Sequence, residues 1–273
     1  MTAGPEGTPQ ARPRLVATDL DGTLLRSDGS VSTYTSEVLA ALEARGVPVV
    51  FVTARHLSEA EELFEHVGSH GLAILSNGGL VWDVGLSQVH LKRLVPATTA
   101  REVWRLLREA VPGSLFAVET VDGIGLEPGF VEPSWIPPGA WLAPGAELTS
   151  APLVKLMALH RGIDPQDYWD TAEQVVGHLV TITCSSSAAL LDMSGLGVTK
   201  ASTLEMLARD LGVAAEDVVA FGDMPNDLPM LGWAGLSYAM ASGHPSVVAA
   251  ARRVARGNND DGVAHALAEL FGL

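Results

Sequence analysis

What the chain is short of narrows its reading first. It has one cysteine, Cys184, so no intramolecular disulfide can form. That usage fits a reducing cytoplasm, and a lone cysteine most often packs as a small hydrophobe. Positive charge is also scarce: 17 Lys and Arg face 32 Asp and Glu, a formal net charge of −15. With no long Lys/Arg cluster, electrostatic binding to nucleic acid or to an anionic membrane surface is disfavoured. An anionic substrate would need local compensation from a metal, a lysine or helix N-termini. No apolar run approaches the roughly 20 residues of a membrane-spanning helix. Residues 1–13 (MTAGPEGTPQARP) lack the apolar core of a signal peptide and read as a disordered tail. The eight histidines form no metal-binding pattern, and His56 and His244 read as surface or loop residues.

What is present suits a large buried core. Of 273 residues, 47% are hydrophobic and only 18% charged. Residues 15–20 read as a buried strand, 33–44 as a helix ended by Gly46, and 47–52 (VPVVFV) as a strand of a covered parallel sheet. A helix over 58–67 and a strand over 72–75 continue the alternation. It resumes with a helix over 200–211, strands over 218–221 and 236–240, and helices over 227–234, 245–251 and 262–270. Strand–helix alternation at both ends predicts an α/β fold with a Rossmann-like parallel sheet. The middle differs: a helix over 99–110, a hairpin around Asp122-Gly123, a proline-rich stretch, then strand, helix and two strands. This reads as an inserted α+β domain. The expected division is a core of 14–82 and 195–273 interrupted by a cap of 83–194.

Four short stretches could carry chemistry. In Asp19-Leu20-Asp21-Gly22-Thr23, two carboxylates stand one residue apart where a buried strand ends. Residues i and i+2 of an extended chain share a face, so both could point into one site. The carboxyl edge of a parallel sheet is where open α/β folds bind ligands. An acidic turn with Asp21-Gly22 at its corner would also produce this pattern. Thr53 follows the next strand, as a ligand hydroxyl or as an ordinary helix cap. Lys200 stands at a helix start, where the dipole disfavours a cation, so either an anionic site or a solvated surface position accounts for it. In Gly222-Asp223-Met224-Pro225-Asn226-Asp227 a buried strand again runs into carboxylates, which could instead be helix-capping residues.

Taken together and in this order, DLDGT, the strand-terminal threonine, the later lysine and GDMPND resemble the haloacid dehalogenase-like (HAD) phosphatases. The wider chain, residues 14–270, is similar to the Cof-type group with a large type-two (class IIB) cap, including the mannosyl-3-phosphoglycerate and sugar phosphatases. Asn77-Gly78-Gly79 resembles its NGA stretch, residues 197–200 its GVSK, and Asp261-Gly262-Val263-Ala264 its DGVA. Thr53-Ala54-Arg55 departs from the usual Thr-Gly-Arg, Ala201 from a frequent glycine, and Ala241-Ser242 from the usual NA stretch. None of these removes a group the chemistry needs.

The resemblance implies a phosphoric monoester hydrolase acting on a small phosphorylated metabolite, a sugar phosphate or phosphorylated sugar acid. It implies Asp19 as nucleophile, forming an aspartyl phosphate, and Asp21 as general acid/base. Mg²⁺ would be held by the Asp19 side chain, the Asp21 backbone carbonyl and Asp223, with Asp227 orienting a water from outside that set. Thr53 would donate to the phosphoryl group, Lys200 would balance the carboxylates, and Asn226 would orient Lys200 or a phosphate oxygen. Arg55, Asn77 and Gly78 are expected to touch substrate, with Lys155, Trp135 and Trp141 as further cap candidates. The tryptophans are also expected as cap core. A monomer or homodimer in the cytoplasm is expected. Two rivals stand beside this reading: a phosphosugar mutase-type phosphotransferase, and a non-catalytic protein that binds a phosphorylated ligand.

Overall fold

The computed structural model describes residues 12–66, 71–183 and 189–273. Cys184 and residues 1–11 of the expected tail lie outside them. The chain opens with β1 (Leu15–Thr18), α1 (Thr33–Ala44), β2 (Val49–Val52), α2 (Leu57–Ala60), β3 (Leu72–Leu75), β4 (Leu80–Asp83) and β5 (Gln88–Lys92). Next come α3 (Ala97–Ala110), β6 (Leu115–Thr120), β7 (Gly123–Leu126), β8 (Trp141–Leu142), α4 (Gly145–Leu148) and β9 (Lys155–Leu159). Then α5 (Pro165–Val176), β10 (Val180–Thr183) and β11 (Leu190–Gly195) follow. The last part holds α6 (Lys200–Asp210), β12 (Val218–Gly222), α7 (Leu228–Trp233), β13 (Leu236–Met240), α8 (Pro245–Ala250), β14 (Arg253–Ala255) and α9 (Gly262–Phe271).

Two sheets result. The larger has eight strands in the order β14-β13-β12-β1-β2-β3-β4-β5. Its first six run parallel, and β4 and β5 add an antiparallel hairpin. Alternation along the strands divides its two faces. Val16, Val49 and Phe51 pack with α1 and α9, while Leu15, Ala17, Val50 and Val52 pack with α6, α7 and α8. Burial on both faces is why these strands read as continuous apolar runs. The chain order reverses at β1, with β2 on one side and β12 on the other. That reversal opens a crevice at the carboxyl ends of the strands.

The smaller sheet has six strands, β10-β11-β9-β6-β7-β8, with α3 and α5 packed on one face. It is α+β, with only the β7–β8 pair parallel. The expected boundary after residue 82 is corrected: β5 belongs to the larger sheet, so the chain first leaves that sheet beyond Lys92. The alternating polar pattern of QVHLK hid this strand, because it lies at the edge of the sheet with one face in solvent. The helix expected over 58–67 is a single α-turn, α2, followed by a 3₁₀ segment, Glu61–His66.

Between β3 and β4 three consecutive residues take left-handed backbone conformations: Ser76 (φ 51°), Asn77 (φ 55°) and Gly78 (φ 103°). Only the third is a glycine, so the loop stores strain in two ordinary residues. Gly78 packs against the start of α6. A Cβ there would lie 2.4 Å from the Thr199 carbonyl oxygen and 2.8 Å from Thr203 Oγ1. Gly78→Ala should therefore destabilise the protein by about 2 kcal/mol or more, through strain and overlap with a helix backbone that cannot yield. Chemical denaturation of the two proteins measures this, and equal stabilities would refute it.

Candidate active site

The strand ends bring most of the expected residues to one place. A cavity of about 210 Å³ is lined by Asp19, Asp21, Thr53, Lys200, Asp223 and Asn226, among others. Asp19 follows β1 directly, and its backbone N–H donates to the Phe221 carbonyl on β12 at 3.0 Å. The chain then turns sharply through Gly22 (φ 76°), where a Cβ would meet Asp223 Oδ2 at 2.3 Å. Thr23 Oγ1, in the same turn, donates to Asp223 Oδ1 at 3.1 Å. The glycine and the threonine of the DLDGT stretch thus seat the turn against the second acidic loop.

Lys200 is the cation among these acids. Its Nζ donates to Asp19 Oδ1 at 2.6 Å and to Asp227 Oδ1 at 2.8 Å, and its side chain is only 2% exposed. Burial disfavours its charge, but Asp19 and Asp227 outweigh burial and hold its pKa above the ordinary lysine range. This accounts for a lysine at the N-terminus of α6, against the helix dipole. Asp227 is fully buried and fully engaged: its other oxygen accepts from the backbone N–H groups of Asp223 and Met224, at 3.0 and 3.1 Å. It anchors the loop rather than facing the cavity.

The remaining carboxylates are crowded. Burial pushes Asp19 well above the usual carboxylate range against the pull of Lys200, and Asp227 and Asp223 add like charge. Asp223 is pushed up to about 6, by burial first and then by Asp227. Asp19, Asp223 and Asp227 offer oxygens within 4.8 Å of one another, the one such cluster among the described residues. An all-oxygen set with surplus negative charge and no His or Cys donor fits a hard divalent cation such as Mg²⁺. Asp19 and Asp223 are the members facing the cavity.

The other candidates surround this centre. Asp21 is half-exposed and paired with Arg55, whose Nε and Nη2 donate to its two oxygens at 2.8 and 2.6 Å. Thr53 is buried, and its hydroxyl accepts from the Arg55 backbone N–H at 3.1 Å. Asn226 Nδ2 donates to Asn77 Oδ1 at 3.2 Å, while its own buried Oδ1 has no partner among the described residues. Asn77 reaches the other way too, donating to Asp192 Oδ2 at 3.0 Å and Thr183 Oγ1 at 3.2 Å on the smaller sheet. Gly78 lines neither cavity at the site and serves the close approach to α6.

Several expectations are corrected around this centre. Trp135 is 76% exposed and Trp141 is 38% exposed, so neither forms cap core, and neither lines the two site cavities. Trp141 instead covers Gly125, where a Cβ would lie 2.6 Å from its ring. His56 is buried rather than a surface residue: it caps α2 and its Nε2 donates to the Thr120 carbonyl at 2.9 Å. His244 caps α8.

A seam joining the two sheets escaped sequence reasoning. Lys155 Nζ lies 2.8 Å from Glu119 Oε1 and 3.7 Å from Asp192 Oδ1, and donates to the Ala54 carbonyl at 3.0 Å. Ser76 Oγ donates to Glu119 Oε2 at 2.6 Å. The overlooked signal was a carboxylate inside an apolar strand, LFAVET and LLDMSG, the feature that marked Asp19.

The profile of the haloacid dehalogenase-like hydrolases matches residues 16–267. The chain is 28% identical to 5-amino-6-(5-phospho-D-ribitylamino)uracil phosphatase YcsE of Bacillus subtilis, over 93% of this chain and 94% of that protein. It is 28% identical to the HMP-PP phosphatase of Serratia proteamaculans, over 86% of each. The crystal structure of SMU.1108c from Streptococcus mutans superposes with a TM-score of 0.85 at 22% identity, covering 96% of this chain and 100% of that one. This last likeness concerns the fold alone.

The crowding of acids has a measurable consequence. A carboxyl raised to about 6 contributes stability that is full below its unfolded pKa near 4 and lost as pH rises through 6. Asp223→Asn keeps an acceptor for Thr23 but removes that ionisation. In chelator, wild type should therefore lose melting temperature relative to Asp223→Asn between about pH 4 and 6. Added Mg²⁺ should raise the melting temperature of wild type and much less that of the variant. Parallel pH profiles, or equal Mg²⁺ shifts, would contradict the assignment.

Proposed function

The chain belongs to the haloacid dehalogenase-like hydrolase family, and from that premise we propose that it is a Mg²⁺-dependent phosphatase of small phosphate monoesters, working through an aspartyl phosphate on Asp19. The observation that carries this reading is the Lys200 bridge between Asp19 and Asp227. It holds one oxygen of the nucleophile still and leaves Oδ2 without a donor among the described residues.

A phosphate monoester is inert because its own charge repels nucleophiles, so the site must neutralise charge and align the attack. Asp19 Oδ2 attacks phosphorus as the bond to the leaving oxygen breaks. Asp21 donates a proton to that oxygen, and Arg55 must first release it. An ion pair this exposed is worth about 0–1 kcal/mol, so release is cheap. In the second half Asp21 takes a proton from water, whose oxygen attacks the acyl phosphate and frees inorganic phosphate and the Asp19 carboxylate. Lys200 balances charge on Asp19 throughout. Thr53 Oγ1 and the Asn226 amide border the phosphoryl position and donate to its oxygens. Asp19, the Asp21 carbonyl and Asp223 would hold Mg²⁺, which when bound would supply positive charge against the transferring group.

The substrate reading starts from a sugar phosphate or phosphorylated sugar acid, by resemblance. The names of YcsE and the HMP-PP phosphatase broaden it to other small phosphorylated metabolites. The inserted domain is the lid that excludes water and must open for product to leave. No helix among the described residues is long and apolar enough to cross a membrane. We place the enzyme in the cytoplasm. Intact Asp19, Asp21, Lys200 and Asp223 favour catalysis over an idle binding protein, which could lose any of them.

Hydrolysis of p-nitrophenyl phosphate should require Mg²⁺ and fall about a thousandfold or more in Asp19→Asn, which keeps the Lys200 contact but not the nucleophile. Activity that survives this substitution would sink the mechanism.

A further inference from the structure

The smaller sheet has a face that its helices leave open, and strand alternation decides what stands on it. On β9, Leu156 and Ala158 pack under α3 and α5, so Lys155 and Met157 face the other way. On β6, Phe116 and Val118 pack under the helices, opposite Ala117 and Glu119; on β11, Leu191 and Met193 do so, opposite Leu190 and Asp192. Register sets Lys155 beside Glu119, and Met157 beside both Ala117 and Asp192. The open face therefore has a polar end against the larger sheet and an apolar remainder. The proline-rich chain between β7 and β8 folds over that remainder with Phe130 and Pro137. A cavity of about 300 Å³ is left between them. Ala54 lines both this cavity and the one at Asp19, and Arg55 stands at their junction.

We propose that this chamber takes the alcohol portion of the substrate and selects an uncharged, apolar body, such as an aromatic ring on a phosphorylated alcohol, over polyols and anionic sugar acids. The inference rests on the phosphatase reading above and narrows its substrate class. The chamber holds on the order of ten waters at about 30 Å³ each, enough for one ring. Its walls are Ile124, Leu126, Phe130, Met157 and Leu190. Sugar hydroxyls turned toward such walls find no hydrogen-bond partner there. The polar groups at the inner end are already engaged: Lys155 with Glu119 and the Ala54 carbonyl, Glu119 with Ser76, Asp192 with Asn77. Charge argues the same way. Three carboxylates line the chamber, Glu59, Glu119 and Asp192, against two cations, Lys155 and Arg55, so a second anion on the substrate meets net repulsion.

The test is steady-state hydrolysis by the full chain with Mg²⁺ of acetyl phosphate, benzyl phosphate, glucose 6-phosphate and 3-phosphoglycerate. Acetyl phosphate carries almost no body and reports the chemistry at Asp19. Benzyl phosphate should exceed glucose 6-phosphate and 3-phosphoglycerate in kcat/KM by about tenfold or more. Met157→Ala should lower the benzyl-to-acetyl ratio of kcat/KM by about tenfold, and Met157→Leu should largely restore it. Phe130→Ala, on the covering chain rather than a strand, should act in the same direction and serves where Met157→Ala folds poorly. Turnover of acetyl phosphate without preference for benzyl phosphate, or an unchanged ratio in both alanine variants, overturns the chamber alone. Failure to hydrolyse any of the four overturns the phosphatase reading and the chamber with it.

Discussion

A single buried ammonium organises this molecule. Lys200 comes from the start of a late helix and joins Asp19, after the first strand, to Asp227, in the loop after β12. A buried carboxylate without a cation is costly, and removing one partner of such a pair typically costs about 3–5 kcal/mol. The three groups lie far apart in sequence, so their meeting requires the parallel sheet to be complete. The same contact that closes the fold also holds Asp19 at the wall of the cavity. Asp227 accepts two backbone N–H groups as well, which fixes the loop carrying Asp223 and Asn226.

The second ionic cluster links this centre to the smaller sheet. Lys155, Glu119 and Asp192 belong to the smaller sheet, yet their hydrogen bonds run to Ala54, Ser76 and Asn77 of the larger one. Asn77 is the joint: strained into a left-handed conformation, it holds Asn226 with one end of its amide and Asp192 with the other. Strain at a ligand-side loop persists only where the surroundings over-determine it, and here both sheets do so. Separating the sheets would expose three charges and break this joint, so the two sheets are held together by polar contacts that water can replace.

Much of this was legible in the sequence, for physical reasons. Doubly covered strands such as VVFV are apolar throughout and cannot be mistaken for solvent-facing ones, so the larger sheet could be read. Asp19, Asp223 and Lys200 stood out because each contradicts its local setting, an acid at a buried strand end or a cation at a helix start. The edge strand QVHLK contradicted nothing and was missed, which put the first domain crossing too early. Glu119 and Asp192 did contradict their apolar strands, but without the register nothing tied them to Lys155. Exposed Trp135 defied the rule that large aromatics pack inside, because the short proline-rich segment has too little around it to bury an indole. What could not be read was pairing across the insert, where contacts depend on how two sheets meet rather than on any local pattern.

The alternation of the β9 side chains has an evolutionary corollary. Leu156 and Ala158 pack under the helices of the smaller sheet while Met157, between them, lines the chamber. Drift at Met157 or Leu190 can retune which alcohols fit without eroding the packing behind them, and neither residue touches Lys200 or Asp19. On the proposed reading, the packing of the smaller sheet and the choice of substrate lie on opposite faces of the same short strands, while the chemistry sits on the other sheet. A lineage of such enzymes can diversify its diet one alternate residue at a time.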